Sequence, residues 1–176
     1  MNATKLAVLI WALFGFPYTG SSQTAKPSFS ISITAPAIIK AGAEAKVEIE
    51  VKNISNHAIA FGADDLSHSE KNFAFEVRDS AGKLAPETRY MKAVNGEEQG
   101  PGPQMVILGH LGSATLKPGE TLKGSANLTE LFELQPGQYT VQLWRAEGDH
   151  MIIDPAKPRP IGATVKSNTV IVSVNP

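Results

Sequence analysis

Apolar and polar residues alternate along several short segments of the chain, which is the pattern of strands with one buried face. The most regular segment is Ala45–Lys52, where four apolar residues alternate with four charged residues that are expected to face water. Phe29–Thr34, Phe73–Arg78 and Tyr139–Trp144 alternate in the same way, and Ser167–Val174 carries valines on one face. These segments predict an all-β protein.

Other stretches give weaker predictions. Ala58–Phe61 predicts a short strand C, Thr121–Leu128 a further strand, and Glu87–Val94 a weak strand. The polar stretch Gly62–Asn72 is expected to be a loop, and Asn127–Leu134 has room for one helical turn at most. We therefore predict a single antiparallel β-sandwich of about 7–9 strands and no substantial helix.

The turn before Tyr139 carries a family resemblance. Leu134 to Tyr139 reads L-x-P-G-x-Y and runs into an alternating strand. This sequence resembles the E–F corner of fibronectin-type-III-like and other immunoglobulin-like sandwiches. The resemblance implies that Tyr139 begins strand F and bonds to backbone through its hydroxyl, that Leu134 is buried beneath it, and that Pro136 and Gly137 form the turn.

A wider resemblance covers nearly all of residues 28–175. The motifs FAFEVRDSAGK at 73–83, LKPGET at 116–121 and SNTVIV at 167–172 look like those of small secreted bacterial immunoglobulin-like domains. A weaker likeness connects the strand pattern with the bacterial proteinase-inhibitor sandwich. Both resemblances imply an architecture, and neither implies an activity.

The amino terminus predicts export. Lys5 precedes the apolar run Leu6–Phe16, and small polar residues follow up to Ala25. The run is too short to cross a bilayer core of about 30 Å, whereas its length and flanks are typical of a secretory signal peptide. We expect residues 1–25 to be removed, residues 26–176 to form one domain, and the protein to be periplasmic or extracellular, with no membrane span in the mature chain.

Composition narrows the function classes. Removing Lys5 with the leader leaves 15 of the 16 basic residues against 17 acidic residues, a net charge of −2 without a basic stripe, so we expect no nucleic-acid partner. The chain has no cysteine, which excludes a disulfide scaffold and a thiolate site. Asn53 and Asn127 begin N-x-S/T sequons, which we interpret as chance matches in a bacterial protein.

No catalytic motif occurs, and the protein is predicted not to be an enzyme and to need no cofactor. The densest group of possible metal ligands is Asp64, Asp65, His68 and Glu70. Carboxylates with one imidazole suit a hard or borderline cation. The spacing lacks the alternating ligands of a calcium loop, so a solvated polar loop is the favoured interpretation.

The connection Ala146–Ala163 is the favoured binding surface. It is far longer than a hairpin loop of about 2–5 residues, and long loops without secondary structure are usually functional or disordered. Its candidate binding residues are Asp149, His150, Met151, Lys157 and Arg159.

The favoured function is binding of a protein or an envelope polymer by an exported, non-catalytic domain that is a monomer or a weak oligomer. A secreted protease inhibitor and a copper carrier using His150 and Met151 are the alternatives. Covering of an open sheet edge by the connection Ala146–Ala163 is a purely structural alternative.

Overall fold

The structure is a computed structural model and describes residues 26–61, 66, 69–97, 114–147 and 163–176. In chain order the strands are β1 (Phe29–Thr34), β2 (Ile38–Lys40), β3 (Lys46–Asn53), β4 (Ile59–Phe61), β5 (Ala74–Asp79), β6 (Ala114–Leu116), β7 (Thr121–Asn127), β8 (Gly137–Ala146), β9 (Thr164–Lys166) and β10 (Val170–Asn175). The helices of these ranges are α1 (Ser69–Asn72), α2 (Arg89–Val94) and α3 (Leu128–Leu131). None of them has the length and apolar character that a membrane span requires. The predicted leader, residues 1–25, lies outside the described residues.

Two sheets enclose the core. The first sheet has the order β1-β3-β7, and the second has the order β2-β10-β8-β5, with β9 also paired to β8. Strands β4 and β6 form a separate antiparallel pair. The inward side chains of both large sheets belong to one buried cluster, so the prediction of an all-β sandwich is confirmed.

The alternation seen in the sequence is the alternation of burial. Ala45, Val47, Ile49 and Val51 are all buried, along and just before β3. The inward residues of β8 are buried in the same way from Tyr139 onward. Full burial of one such aliphatic side chain stabilises the fold by about 1.5–3 kcal/mol.

The chain changes sheets at Pro36. Strand β1 pairs antiparallel with β3, and the chain then continues in the same direction as β2, on the other sheet. Because β10 happens to run in that direction, β2 and β10 pair in parallel. This pairing departs from the predicted purely antiparallel sandwich. A proline at the crossing is favourable, since it has no N–H to donate to either sheet.

The predicted closing strand, Ser167–Val174, is in fact the second part of a broken strand that begins earlier with β9. Residues 167–169 oppose only two residues of β8, which defines a β-bulge. The bulge directs the Asn168 amide to the edge of β1, where it accepts from the Ile33 N–H at 2.8 Å and donates to the Ile33 C=O at 2.9 Å. Asn168 therefore hydrogen-bonds with the Ile33 N–H and C=O, which an additional strand could otherwise pair with at this edge.

The prediction of a strand at Glu87–Val94 is wrong, because most of this segment forms α2. The Thr88 side chain caps the helix by accepting from the Met91 N–H at 3.3 Å. Met91 and Val94, three residues apart, share one helical face; Met91 is buried and Val94 packs against the core. The cap and the helical spacing together outweigh the weak strand pattern.

The predicted short strand at Ala58–Phe61 is confirmed as β4, which pairs with β6. The place beside β8 belongs to β5, which is longer and pairs with β8 over its whole length. A six-residue strand satisfies more backbone groups in the central sheet than a three-residue strand can.

The polar stretch Gly62–Asn72 is more than a solvated loop where the structure describes it. Leu66 is buried against β7 and bridges to Gly124. A Cβ atom on Gly124 would lie 2.1 Å from the Leu66 Cβ, so the close approach needs glycine. The buried Ser69 hydroxyl donates to the Leu66 C=O at 2.6 Å. The segment is thus anchored at two buried positions.

Candidate functional site

One end of the sandwich gathers the ends of several strands; we call it the loop end and define it by Phe61, Ala114, Arg145, Glu147 and Ala163. Phe61 at the end of β4 pairs with Ala114 at the start of β6. The Arg145 guanidinium carbon lies 4.1 Å from the centre of the Phe61 ring. The Glu147 N–H donates to the Ala163 C=O at 2.9 Å. Three points of attachment therefore lie at this end of the fold. They follow Phe61, precede Ala114, and join Glu147 to Ala163.

Arg145 is the buried charge of the loop end. It follows Leu143 by two residues on the inward face of β8 and is only 6% exposed. The Phe61 ring beneath it also contacts Phe29, with ring centres 5.6 Å apart in an edge-to-face arrangement, and Phe73 at 6.3 Å. A cation over an aromatic face is stabilised by about 0.5–2 kcal/mol, more when desolvated.

Glu147 fastens the start of the fold to the end of β8. Its carboxylate Oε1 accepts hydrogen bonds from both the backbone N–H and the hydroxyl of Ser28. The Ser28 C=O in turn accepts from the N–H groups of Ile54 at 2.9 Å and Ser55 at 3.1 Å. These bonds join three parts of the chain that are distant in sequence.

Asn53 holds the neighbouring turn. It is 1% exposed, and its Nδ2 donates to the C=O groups of His57 and Leu116, both at 2.8 Å. Its Oδ1 accepts from the Ser55 N–H at 2.9 Å and from the Ser55 hydroxyl at 2.7 Å. The side chain therefore connects β3, the turn after it, and β6.

A cleft of about 240 Å³ opens between these elements. Its polar lining includes Ser28, His57, Arg145 and Glu147, and the Phe61 ring contributes apolar surface. A single buried guanidinium beside a carboxylate and an imidazole can recognise polar groups of a partner. We take this cleft and the strand ends around it as the candidate site.

The binding residues predicted from the sequence are not placed by the structure. Asp149, His150, Met151, Lys157 and Arg159 all lie between Glu147 and Ala163, outside the described residues. The register of β8 against β9 fixes only where that stretch attaches, which is the loop end.

Most of the weak metal candidates also lie outside the described residues: Asp64, Asp65 and His68. Glu70 is described, and its Oε1 accepts a hydrogen bond from the Tyr90 hydroxyl at 2.6 Å. Partial burial, followed by this bond, raises the pKa of Tyr90 to about 12. Among the described residues no three acidic, histidine or cysteine side chains come together as metal ligands would.

The opposite end of the sandwich, which we call the corner end, is defined by Asp79, Leu134, Gln135, Gly137 and Tyr139. The Tyr139 hydroxyl accepts from the Gln135 N–H at 3.0 Å and donates to the Gln135 C=O at 3.1 Å, which is the geometry of a tyrosine corner. Leu134 is partly buried against the core, Pro136 is exposed in the turn, and Gly137 begins β8.

Neither Arg145 nor Asn53 is among the site residues that the sequence predicts. The alternation of β8 carries a usable signal, because Arg145 follows Tyr139, Val141 and Leu143 with a spacing of two. An arginine in that register predicts a charge on the buried face. For Asn53 the N-x-S spacing marks only the local bonds to Ser55, and the bond to Leu116, 63 residues away, has no local signal.

Comparisons with known proteins identify no family. No family model matches the chain, and no curated protein matches it. A solved structure with a similar course of the chain is a CARDB domain from Pyrococcus furiosus, in complex with di-metal ions. The two chains share 14% identity over 85% of this chain and 94% of that one, with a TM-score of 0.42. A likeness this distant carries no argument about ligand or activity.

Proposed function

We propose that the protein is an exported, non-catalytic binding domain that contacts a protein or an envelope polymer through its loop end. The observation that carries the proposal is the convergence of strand ends around the cleft of Arg145 and Glu147. A rigid scaffold that gathers long connections at one end is the usual arrangement of binding sandwiches.

The chemistry of the cleft supports binding over catalysis. Ser28, His57 and Glu147 line it together and have the side chains of a hydrolase triad. Their hydrogen bonds do not follow that order, because the Ser28 hydroxyl donates directly to Glu147 while the His57 ring contacts Asn56 at 3.2 Å. A serine nucleophile needs a base at its hydroxyl and a third group that orients the base. In this cleft the Glu147 carboxylate accepts hydrogen bonds from the Ser28 N–H and hydroxyl, and its role is structural.

Export with removal of the predicted leader would leave the described fold unchanged. Ser28 is held by bonds to Glu147, Ile54 and Ser55, and it directly precedes β1. Cleavage at or before residue 26 therefore leaves every described strand intact. Mass spectrometry of the exported protein is expected to find a new amino terminus between residues 20 and 27; a retained Met1 contradicts export with cleavage.

The binding proposal is tested by exchanging the connection at the loop end. Replacing residues 148–162 with a short Asn-Gly turn keeps Glu147 and Ala163 in place, and is expected to preserve cooperative unfolding and to abolish capture of a partner from the native envelope. A folded variant that still captures every partner contradicts the proposal. A variant that no longer folds favours the structural role of covering an edge.

A matched control alters the corner end and leaves the loop end intact. Lys83 and Leu84 are exposed there, and replacing Lys83 with Ala and Leu84 with Ser is expected to leave partner capture unchanged. Loss of capture in this control places the binding surface at the corner end. Inhibition assays on a panel of proteases, and elemental analysis of the native protein, separate the inhibitor and metal-carrier alternatives from simple binding.

A further inference from the structure

Asn53 is both a sequon asparagine and a fully used hydrogen-bonding group. Its two Nδ2 hydrogens are donated to His57 and Leu116, and its Oδ1 accepts twice from Ser55. This saturates the amide, which has two donors and one oxygen with two lone pairs. The N-x-S spacing is what allows Ser55 to close this local turn, so the sequon has a structural reason.

N-glycosylation uses the same nitrogen. The amide nitrogen loses one hydrogen as a proton and bonds to the anomeric carbon of the sugar, while the bond from that carbon to the lipid pyrophosphate breaks and the pyrophosphate leaves as the anion. At Asn53 the exchange would remove the bond to His57 or the bond to Leu116, both 2.8 Å long. It would also place a bulky hydrophilic group at a side chain that is 1% exposed.

The second sequon provides an internal contrast. Asn127 caps α3 through its Oδ1, which accepts from the Thr129 N–H at 3.2 Å and the Thr129 hydroxyl at 2.8 Å. Its Nδ2 donates to Glu130 at 3.2 Å in an exposed bond. The nitrogen that would carry a sugar therefore lies at the surface, and the capping oxygen is unaffected by modification.

We propose that N-glycosylation of Asn53 and folding exclude each other, so that the folded protein carries no sugar at this position. Oligosaccharide is transferred to chains before they fold, and burial in the native state does not protect the side chain at that stage. Once a sugar is attached, β3, β6 and the turn at His57 cannot assemble around Asn53. Asn127 tolerates the same modification.

The test produces the full chain behind the leader of a yeast secretory host that glycosylates sequons, with and without an inhibitor of lipid-linked sugar synthesis. Site occupancy is measured by mass spectrometry in the folded and the retained fractions. We expect sugar on Asn127 but not on Asn53 in the folded fraction, sugar on Asn53 in the retained fraction, and a severalfold rise in folded yield with the inhibitor. Folded protein carrying sugar on Asn53, or a folded yield that the inhibitor leaves unchanged, overturns the proposal.

Ser55→Ala supplies the matched variant. It abolishes the sequon while the Ser55 backbone N–H remains to bond Asn53, and its folding is checked first in a bacterial host. Its folded yield in yeast is expected to be independent of the inhibitor. A yield that still rises with the inhibitor assigns the effect to another site and overturns the role of Asn53.

Discussion

The two ends of the sandwich are closed in different ways. At the corner end the Tyr139 hydroxyl reaches Gln135, four residues earlier, and Asp79 accepts from the N–H groups of Ala81 and Lys83 at 2.9 Å. At the loop end the bond between Ser28 and Glu147 spans 119 residues. The side-chain bonds named at the corner end are local, whereas the loop end also needs bonds between segments distant in sequence.

This difference has an energetic consequence. A contact between residues four apart restricts little chain, whereas a contact across a hundred residues forms only after the intervening chain is ordered. The bonds of Tyr139 to Gln135 and of Asp79 to its own turn can therefore form locally, while the bond of Ser28 to Glu147 depends on the assembled sandwich. Because the assembled sandwich holds the strand ends at the loop end, the segments that connect these strand ends can vary in sequence and length. Such connections are common binding surfaces.

Asn53→Leu is expected to give the largest loss of stability. It leaves the buried Leu116 carbonyl without its side-chain partner and removes the part-buried bonds to the His57 carbonyl and the Ser55 N–H. An unsatisfied buried group costs about 1–3 kcal/mol and each further lost hydrogen bond about 0.5–1.5 kcal/mol, so we expect a loss of about 3–5 kcal/mol in the free energy of unfolding by urea denaturation. The exposed neighbour Asn56→Ala is the control and should change stability by no more than about 0.5 kcal/mol. Equal effects of the two variants would mean that Asn53 does not hold the loop end.

Phe61→Leu tests the aromatic contacts at the same end. The change removes the ring beneath Arg145 and its pairs with Phe29 and Phe73. Together these interactions are expected to contribute about 2–3 kcal/mol to the free energy of unfolding. Phe75→Leu makes the same chemical change at a half-buried position in β5 and should cost about 1 kcal/mol. A larger loss at Phe75 contradicts the assignment of the loop end as an aromatic-stabilised site.

Tyr139→Phe tests the corner end. It removes one hydroxyl that satisfies both backbone groups of Gln135, and thermal and denaturant unfolding should show a loss of about 1–2 kcal/mol. Tyr90→Phe is the matched control, because it removes a hydroxyl with a partner on the exposed surface. If both variants unfold at the same denaturant concentration, the hydrogen bonds of Tyr139 to Gln135 add no more stability than the exposed bond of Tyr90.

The features that can be predicted from the sequence are those that depend on residues close together along the chain. The strands around Val47 and Val141 and the turn before Tyr139 depend on neighbouring residues, and their patterns are visible in the sequence. The segment Glu87–Val94 differs from the predicted strand because the Thr88 cap and the helical spacing of Met91 and Val94 favour a helix. The bond of Asn53 to Leu116 and the bonds of Glu147 to Ser28 cannot be read from local sequence, since these partners are brought near only by the fold.

The smallest effect is expected at Tyr90, which joins α2 to α1 between the two ends. Burial, and then the hydrogen bond to Glu70, raises the pKa of Tyr90 from 10.0 to about 12. The folded state thus holds this proton more tightly than the unfolded state, so the stabilisation is fully present below pH 10.0 and is lost as pH rises through about 12.

The titration is followed by the difference in tyrosinate absorbance between the wild type and Tyr90→Phe. Glu70→Gln removes the negative charge and should lower the pKa of Tyr90 without returning it to the ordinary value, because burial is the larger cause. In parallel, the stability advantage of the wild type over Tyr90→Phe should shrink as pH rises from 10.0 towards about 12. A Tyr90 that ionises near 10.0 in the folded protein would show that the contact between α1 and α2 is absent in solution.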